Sequence, residues 1–467
     1  MPPAKRSEAE KRERKTAQQR AYRKTAQERV HQNKKVDIFR YILPNAIRKT
    51  AVRKNITHDK VQDYHFRDQA LQQLRQLLNS SRDTWGLFTA STVQGILNIA
   101  VAPTTNLDPR VSIDQAQALF LTTIRASEVL RSHPAIKVPI FGLGQQDFSW
   151  SARSRPISQL LAKYSVDDVV DVNIASLSRT GVSYSRKTIG EVQSRFKGNK
   201  DHNDGWNVLD LKNPLPNTYG ICPKFLQNDN CDLLNRIKTA VLNPGWAGRI
   251  ITKSKQKNEF REVEGWILLA EPGAYTGPHM DAYATETFIN CNEGEIGIGW
   301  LDRPTDEQLE SWAKDPSSYR GGTWCFAVLR AGMTVWFPAG FVHSVFRLSG
   351  DGRQTMGIGG HILRCFAIAR WAKILALQLA YPNSTNEKVT KTAFTYLLVV
   401  LRLVRDAGAQ GRLEEFGGEK NVAEFRQNAQ DCHDILKRKY PRMNLEQLQK
   451  ALGCLHARVE GDGLSLL

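Results

Sequence analysis

No two cysteines in this chain are spaced C-x2-C. The seven present, Cys222, Cys231, Cys291, Cys325, Cys365, Cys432 and Cys454, are odd in number and scattered over 467 residues. That excludes a disulfide scaffold and the zinc modules built on paired cysteines. A lone Cys between apolar neighbours, such as Cys325 between Trp324 and Phe326, reads as a small core residue. Long apolar runs are missing too: the run from Tyr396 to Leu401 is bracketed by Lys and Arg and falls far short of the ~20 residues that span a bilayer, so no transmembrane helix is expected. The charges of MPPAKRSEAEKRERK are followed by no apolar stretch, which argues against a secretory signal and for a protein that stays inside the cell. Acidic residues are scarce at the start, where residues 1–50 hold 15 Lys/Arg against 5 Asp/Glu in a chain of net charge +18. Apart from alanines, Tyr22 and the initiating Met1, residues 1–35 offer one hydrophobic position, Val30, so this segment cannot bury a helix face. It reads as a basic, disordered arm over 1–50, suited to chromatin or another polyanion and to nuclear import.

What is present is globular. With 41% hydrophobic and 24% charged residues the rest of the chain can bury a core. Apolar residues recur at helical spacing through Leu71, Leu74, Leu77 and again through Ile113, Ala116, Leu119, Leu121, Ile124 and Leu130, which predicts a helical region over 51–150. Pro134, Pro139, Gly142 and Gly144 break that pattern, and a Ser/Arg-rich connection follows from Ser149 to Ser158. From Val166 the pattern changes to short apolar runs between turn residues: Val169–Val172, Trp206–Leu209, Trp266–Leu269, Thr287–Ile289, Ile296–Leu301, Thr334–Phe337, Val342–Phe346 and Met356–Ile358. Many short strands with Gly/Pro turns predict a barrel or jelly roll over 151–365. The helical period returns over 366–467, with Ile368, Trp371, Ile374 and Leu379, then Phe394–Val404, then one amphipathic stretch from Val422 to Leu455. The fold class expected is α+β, a β-barrel core flanked by helical regions.

Two segments of the strand block carry chemistry. Tyr275-Thr276-Gly277-Pro278-His279-Met280-Asp281 contains H-x-D, and a distant His343 lies in Trp336-Phe337-Pro338-Ala339-Gly340-Phe341-Val342-His343-Ser344-Val345-Phe346. Two His and one carboxylate fill one face of an Fe(II) octahedron and leave the other positions open. On a strand, residues i and i+2 project from one face, so His279 and Asp281 would both point into the barrel mouth. A second H-x-D, His202-Asn203-Asp204, stands among polar residues and glycines and reads as a solvated turn.

Tyr275-Thr276-x-x-His279-x-Asp281, with Gly332–Val345 and Gly359-Gly360, resembles the JmjC family of Fe(II)/2-oxoglutarate oxygenases, closest to the histone lysine demethylases that carry PHD or CXXC modules. Those modules are absent here. The resemblance covers residues 160–365 and implies a double-stranded β-helix core of cupin-like, jelly-roll form. It further implies His279, Asp281 and His343 as iron ligands, Thr276 as a hydroxyl donor to 2-oxoglutarate, and Asn207 as a further cosubstrate contact. The lysine with which that family holds the cosubstrate falls at Ile296 or Gly297, and no Lys occurs between Lys257 and Lys314. Arg347, on the face shared by His343 and Val345, is the best candidate to replace it, the alternative being that Arg347 ends the strand and turns to solvent before the Ser349-Gly350-Asp351-Gly352 turn. The Asn that commonly follows the paired glycines is His361. Two readings follow: a JmjC-type oxygenase, such as a histone or protein lysine demethylase or hydroxylase acting on chromatin in the nucleus, or a non-catalytic JmjC-like module that binds chromatin or nucleic acid.

Overall fold

The computed structural model describes residues 91–459, apart from 109, 147–148, 175–183, 199–204, 216–220, 243–264, 348–353, 390–391 and 444. The basic arm and the second H-x-D at His202 lie outside the described residues.

Thirteen strands are described: β1 Leu119–Phe120, β2 Ile140–Leu143, β3 Val169–Ile174, β4 Tyr184–Thr188, β5 Trp206–Lys212, β6 Trp266–Ala270, β7 Tyr275–His279, β8 Glu286–Glu293, β9 Glu295–Asp302, β10 Thr323–Arg330, β11 Met333–Phe337, β12 His343–Arg347 and β13 Thr355–Ile362. They form one nine-stranded sheet in the order β1-β2-β11-β8-β13-β6-β5-β3-β4 and one four-stranded sheet in the order β10-β9-β12-β7. Every pairing is antiparallel except β1 with β2.

Strand alternation explains how the sheets face each other. Ile296, Ile298 and Trp300 of β9 and Val345 of β12 share one buried cluster with Ile289 and Cys291 of β8 and Val335 and Phe337 of β11. The intervening residues turn outward, so Phe346 joins a helix-side core while Phe288 and Trp336 join another. On β9 the outward positions Gly297 and Gly299 leave room for neighbours, since a Cβ at Gly297 would meet the Phe346 ring at 2.2 Å. This layering is compatible with the jelly-roll core expected from sequence, with helices around it.

Those helices are α1 Ser91–Ile99, α2 Thr123–Ser132, α3 Pro156–Leu161, α4 Ile189–Phe196, α5 Leu233–Leu242, α6 Asp306–Lys314, α7 Ile368–Ala380, α8 Thr392–Ala409, α9 Gly418–Lys439 and α10 Glu446–Val459. Helices α3 and α4 cover the outer face of β5, β6 and β13, whereas α7 to α10 share a core with the outer residues of the small sheet. No described helix is long and apolar enough to cross a membrane, and all seven cysteines are free, Cys325 being fully buried.

Three readings change. The helical spacing from Ile113 to Leu130 yields a helix only from Thr123, where the Thr122 hydroxyl accepts from the Arg125 amide at 3.5 Å. Upstream, Ala118 to Leu121 are all buried, and Leu119 and Phe120 pair with Ile140 and Phe141 as strand β1. Burial on both faces, rather than one helical stripe, produced that apolar density. The stretch from Val422 to Leu455 breaks into α9 and α10 around Pro441, which has no amide hydrogen to continue a helix. The apolar run Trp324–Leu329, unassigned from sequence, is β10, buried along its length.

Candidate metal centre

β7 is an edge strand of the small sheet, a place where Pro278 breaks no interior ladder. The strand ends at His279, and the backbone stays extended at Asp281 (φ −66°, ψ 138°) before a tight turn over Ala282–Ala284. In that turn Tyr283 and Ala284 hold left-handed φ values of 58° and 53°. Non-glycine residues there carry strain that persists only when the surroundings over-determine it. Helix α7 does so. Gln378, fully buried, donates to the Asp281 carbonyl at 2.7 Å and accepts from the Ala284 amide at 2.9 Å, while the Trp371 indole donates to the Tyr283 carbonyl at 2.9 Å. On the other side Met280 exchanges backbone hydrogen bonds with Ser384 (2.9 Å) and Asn386 (3.3 Å).

β12 brings the third residue. His343 stands opposite His279 on β7 and Trp300 on β9. The turn that delivers it needs glycine: Gly340 has φ 72°, and a Cβ there would meet Ile374 of α7 at 2.5 Å.

His279, Asp281 and His343 thus converge, their nearest ligand atoms within 4.8 Å of one another, and all three are buried or nearly so. His279 Nε2 lies 3.8 Å from Asp281 Oδ1, and the two imidazole centroids are 4.3 Å apart. Each ring is fixed from behind. Nδ1 of His279 donates to the Gly277 carbonyl at 2.7 Å and Nδ1 of His343 to the Phe341 carbonyl at 3.1 Å. Since a carbonyl only accepts, both rings carry their proton on Nδ1 and turn Nε2 to the cluster, the arrangement in which metal-binding histidines are oriented. Burial and the facing His343 ring push the His279 pKa down to about 4, so its imidazole offers a lone pair at neutral pH. Burial resists ionisation of Asp281, but His343, His361, His279 and a hydrogen bond from Thr287 outweigh it and hold its carboxyl below the usual range. Two imidazoles and one carboxylate fit a divalent iron.

The cluster lines a cavity of about 350 Å³ together with Thr276, Trp266, Leu268, Ile289, Val345 and His361. Thr276 is on the cavity wall. Asn207 is buried but off the cavity wall; it stands behind Thr276, donating to its Oγ1 at 3.4 Å and to the Tyr275 carbonyl at 3.2 Å. Arg347 is buried between the sheets, one inward-facing layer below Val345.

His361 is the residue whose role sequence reasoning missed. The Trp266 indole donates to its Nε2 at 3.2 Å, which leaves the proton on Nδ1, facing Thr287 Oγ1 at 2.9 Å and Thr285 Oγ1 at 3.1 Å. The Thr287 hydroxyl in turn bonds to Asp281. An indole can only donate, so the chain Trp266, His361, Thr287, Asp281 has one direction and ends on the carboxylate. The signal available in sequence was His361 after the paired glycines.

No family model matches the chain. Part of it is 22% identical over 137 residues to the JmjC domain-containing histone demethylation protein 1 of Cryptococcus neoformans. The match covers 27% of this chain and 15% of that relative. This weak likeness supports the JmjC family and no finer assignment, and the His-Asp-His cluster agrees with it.

Proposed function

We propose that the chain is a JmjC-type oxygenase with a double-stranded β-helix domain over residues 151–365, acting on a chromatin protein in the nucleus. The observation that carries this reading is the His279, Asp281, His343 cluster, with both Nδ1 atoms tied to backbone carbonyls, on the wall of a cavity. Fe(II), held by those three residues, together with 2-oxoglutarate would supply O2-dependent oxidation of a C–H bond, which on an N-methyl group ends in demethylation. The chain's own part is to orient the two imidazoles, to hold the carboxylate ionised, and to present the Thr276 hydroxyl, positioned by Asn207, to an anionic cosubstrate. Residues 1–50 supply affinity for polyanions, and the relative's description as a histone demethylation protein favours chromatin as the setting.

The test has two arms. The full chain should take up one equivalent of Mn(II), an inert stand-in for Fe(II), and His343→Ala or Asp281→Ala should abolish that uptake, whereas His202→Ala should leave it intact. With Fe(II) and 2-oxoglutarate the chain should form succinate when given methylated histone. Metal uptake without succinate formation on any histone substrate would favour the non-catalytic reading. Deleting residues 1–50 should also flatten the salt dependence of DNA binding, by roughly 0.9 in the log–log slope for each phosphate that the arm neutralises.

A further inference from the structure

The nine-stranded sheet ends at β4, Tyr184-Ser185-Arg186-Lys187-Thr188, which among the described residues pairs only with β3. Alternation fixes which main-chain groups are left over. The Ile189 amide reaches back to the Asp168 carbonyl at 2.7 Å, so the amides of Lys187 and Ser185 also face β3. Those of Tyr184 and Arg186, with their carbonyls, turn to the outer edge. Thr188 is the next outward position, and its amide is taken by the Glu191 carboxylate at 2.7 Å in the cap of α4. Tyr184 and Arg186 thus present N–H and C=O groups as a template for an added strand.

The side chains say what such a strand would meet. Val172 and Ile174 of β3 are buried in the core shared with α3 and α4, so Val169, Asp171 and Asn173 stand on the opposite face, beside Thr188, Arg186 and Tyr184 in register. That face runs into the cavity, whose lining includes Asn173 and Tyr184. Charges such as Arg186 commonly blunt an edge against chance pairing. Here, however, the edge also carries bare apolar surface: Val169 is 53% exposed, Tyr184 52%, and Val166, just before β3, 52%. Exposed apolar side chains gathered beside an open edge mark a surface that something covers. A segment laid along β4 would cover Tyr184 and arrive at the mouth of the cavity. Arg186 sets its charge. Asp171 engages Arg186 only loosely, at 3.9 Å with both side chains exposed, and from the β3 side. An acidic residue opposite Arg186 on the outer side completes a favourable cross-strand pair, whereas a basic one is repelled. A second copy of β4 fits badly, because in the register that pairs all five residues Arg186 would face its own copy.

We propose that the outer edge of β4 docks an extended segment of a partner polypeptide by strand addition, with an acidic residue opposite Arg186 and the chain past Tyr184 leading to the cavity mouth. This names the surface on which the polypeptide substrate of the proposed function lies and rests on that reading for its purpose, but its test uses neither metal nor turnover. Two fluorescein-labelled ten-residue peptides of alternating Thr and Val, identical except for a central Glu or Lys, are titrated with the full chain and followed by anisotropy. The Glu peptide should bind about fivefold more tightly, the scale of a cross-strand charge pair. Hydrogen exchange at the amides of Tyr184 and Arg186 should slow when it binds. Arg186→Glu should reverse the preference, and Arg186→Ala should level it while keeping binding. Arg186→Pro removes an outward N–H but no bond to β3, so it should weaken both peptides about fivefold beyond Arg186→Ala. Failure of the unaltered chain to bind either peptide, or an Arg186→Pro protein that binds as Arg186→Ala does, overturns the inference. So does a concentration-dependent dimer in sedimentation that Arg186→Pro dissolves, since the occupant is then a second copy. A chain that binds the peptides as expected but takes up no Mn(II) overturns the proposed function and leaves the docking edge standing.

Discussion

Two arginines of this molecule are equally buried and differently treated. Arg364, just past the end of β13, has its Nε 2.9 Å from both carboxylate oxygens of Glu286. Its other nitrogens donate to the carbonyls of Leu130 (3.0 Å) and Pro134 (3.1 Å), and its plane lies 5.1 Å from the Trp336 ring centroid. All three of its nitrogens are engaged, and the partners come from β8, α2 and the loop after it. Arg347 lies inside the sandwich with a hydroxyl and a thiol for company. The first arginine ties the flank of the large sheet to α2 and is complete as the chain folds. The second has no carboxylate within ion-pair distance among the described residues, and that difference is what the expectation of Arg347 as a cosubstrate contact rests on.

The sharpest way to test that difference is to remove the finished arginine. Arg364→Ala strips the partner from Glu286, whose carboxyl burial already pushes toward the neutral form, and orphans two backbone carbonyls. Breaking a buried pair on one side costs about 3–5 kcal/mol. Urea unfolding at 25 °C should show a loss of that size at constant slope; a loss below about 1 kcal/mol would mean that Arg364 is no staple.

How much of this could be read from sequence follows from how each residue is held. The cluster was legible because His279 and Asp281 are two residues apart in extended backbone, and because His343 sits in a run with an obvious strand period. Gln378, which braces the Asp281 turn, was not legible: it lies 97 residues away on a helix, and nothing local distinguishes it from a solvent-facing glutamine. The run of β10 carries the same signal as the strands that were read, short, apolar and bounded by Gly321-Gly322 and Gly332, so it was legible in the sequence. Arg347 was placed on the right strand face by alternation alone, but whether it turned to solvent depended on the opposite sheet, which no local pattern encodes. The Glu286–Arg364 pair is likewise joined across 78 residues.

A smaller effect is expected at the metal end, where charges resemble Arg364 in having their partners in place. Outer-sphere groups that orient a ligand typically contribute 10–100-fold to metal affinity. His361→Ala should weaken Mn(II) binding by about that factor while urea stability changes little. Trp266→Phe, which removes only the indole N–H at the start of the relay, should give a smaller drop in the same direction. If His361→Ala leaves Mn(II) affinity intact, the relay to Asp281 does not operate, and the metal end is less finished than the geometry suggests.

The smallest effect should come from Arg347 in the absence of ligand, and that is where the two arginines part most clearly. Arg347→Met removes a desolvated charge with no carboxylate opposite it, which favours the variant. It also removes the bond to Thr355, whose hydroxyl still reaches the Ala270 carbonyl at 3.4 Å, and leaves a little unfilled volume. These terms oppose one another, and replacing buried charge by an apolar group of similar shape is often neutral or better. Without ligand the variant should unfold within about 1 kcal/mol of the parent, on either side. With Mn(II) and 2-oxoglutarate at about 100 times its dissociation constant the parent should gain about 2.7 kcal/mol, and the variant, at the same ligand concentration, only a small part of that. A ligand-free loss as large as that of Arg364→Ala would make Arg347 a second structural staple and remove the contrast on which the expectation of a cosubstrate contact rests.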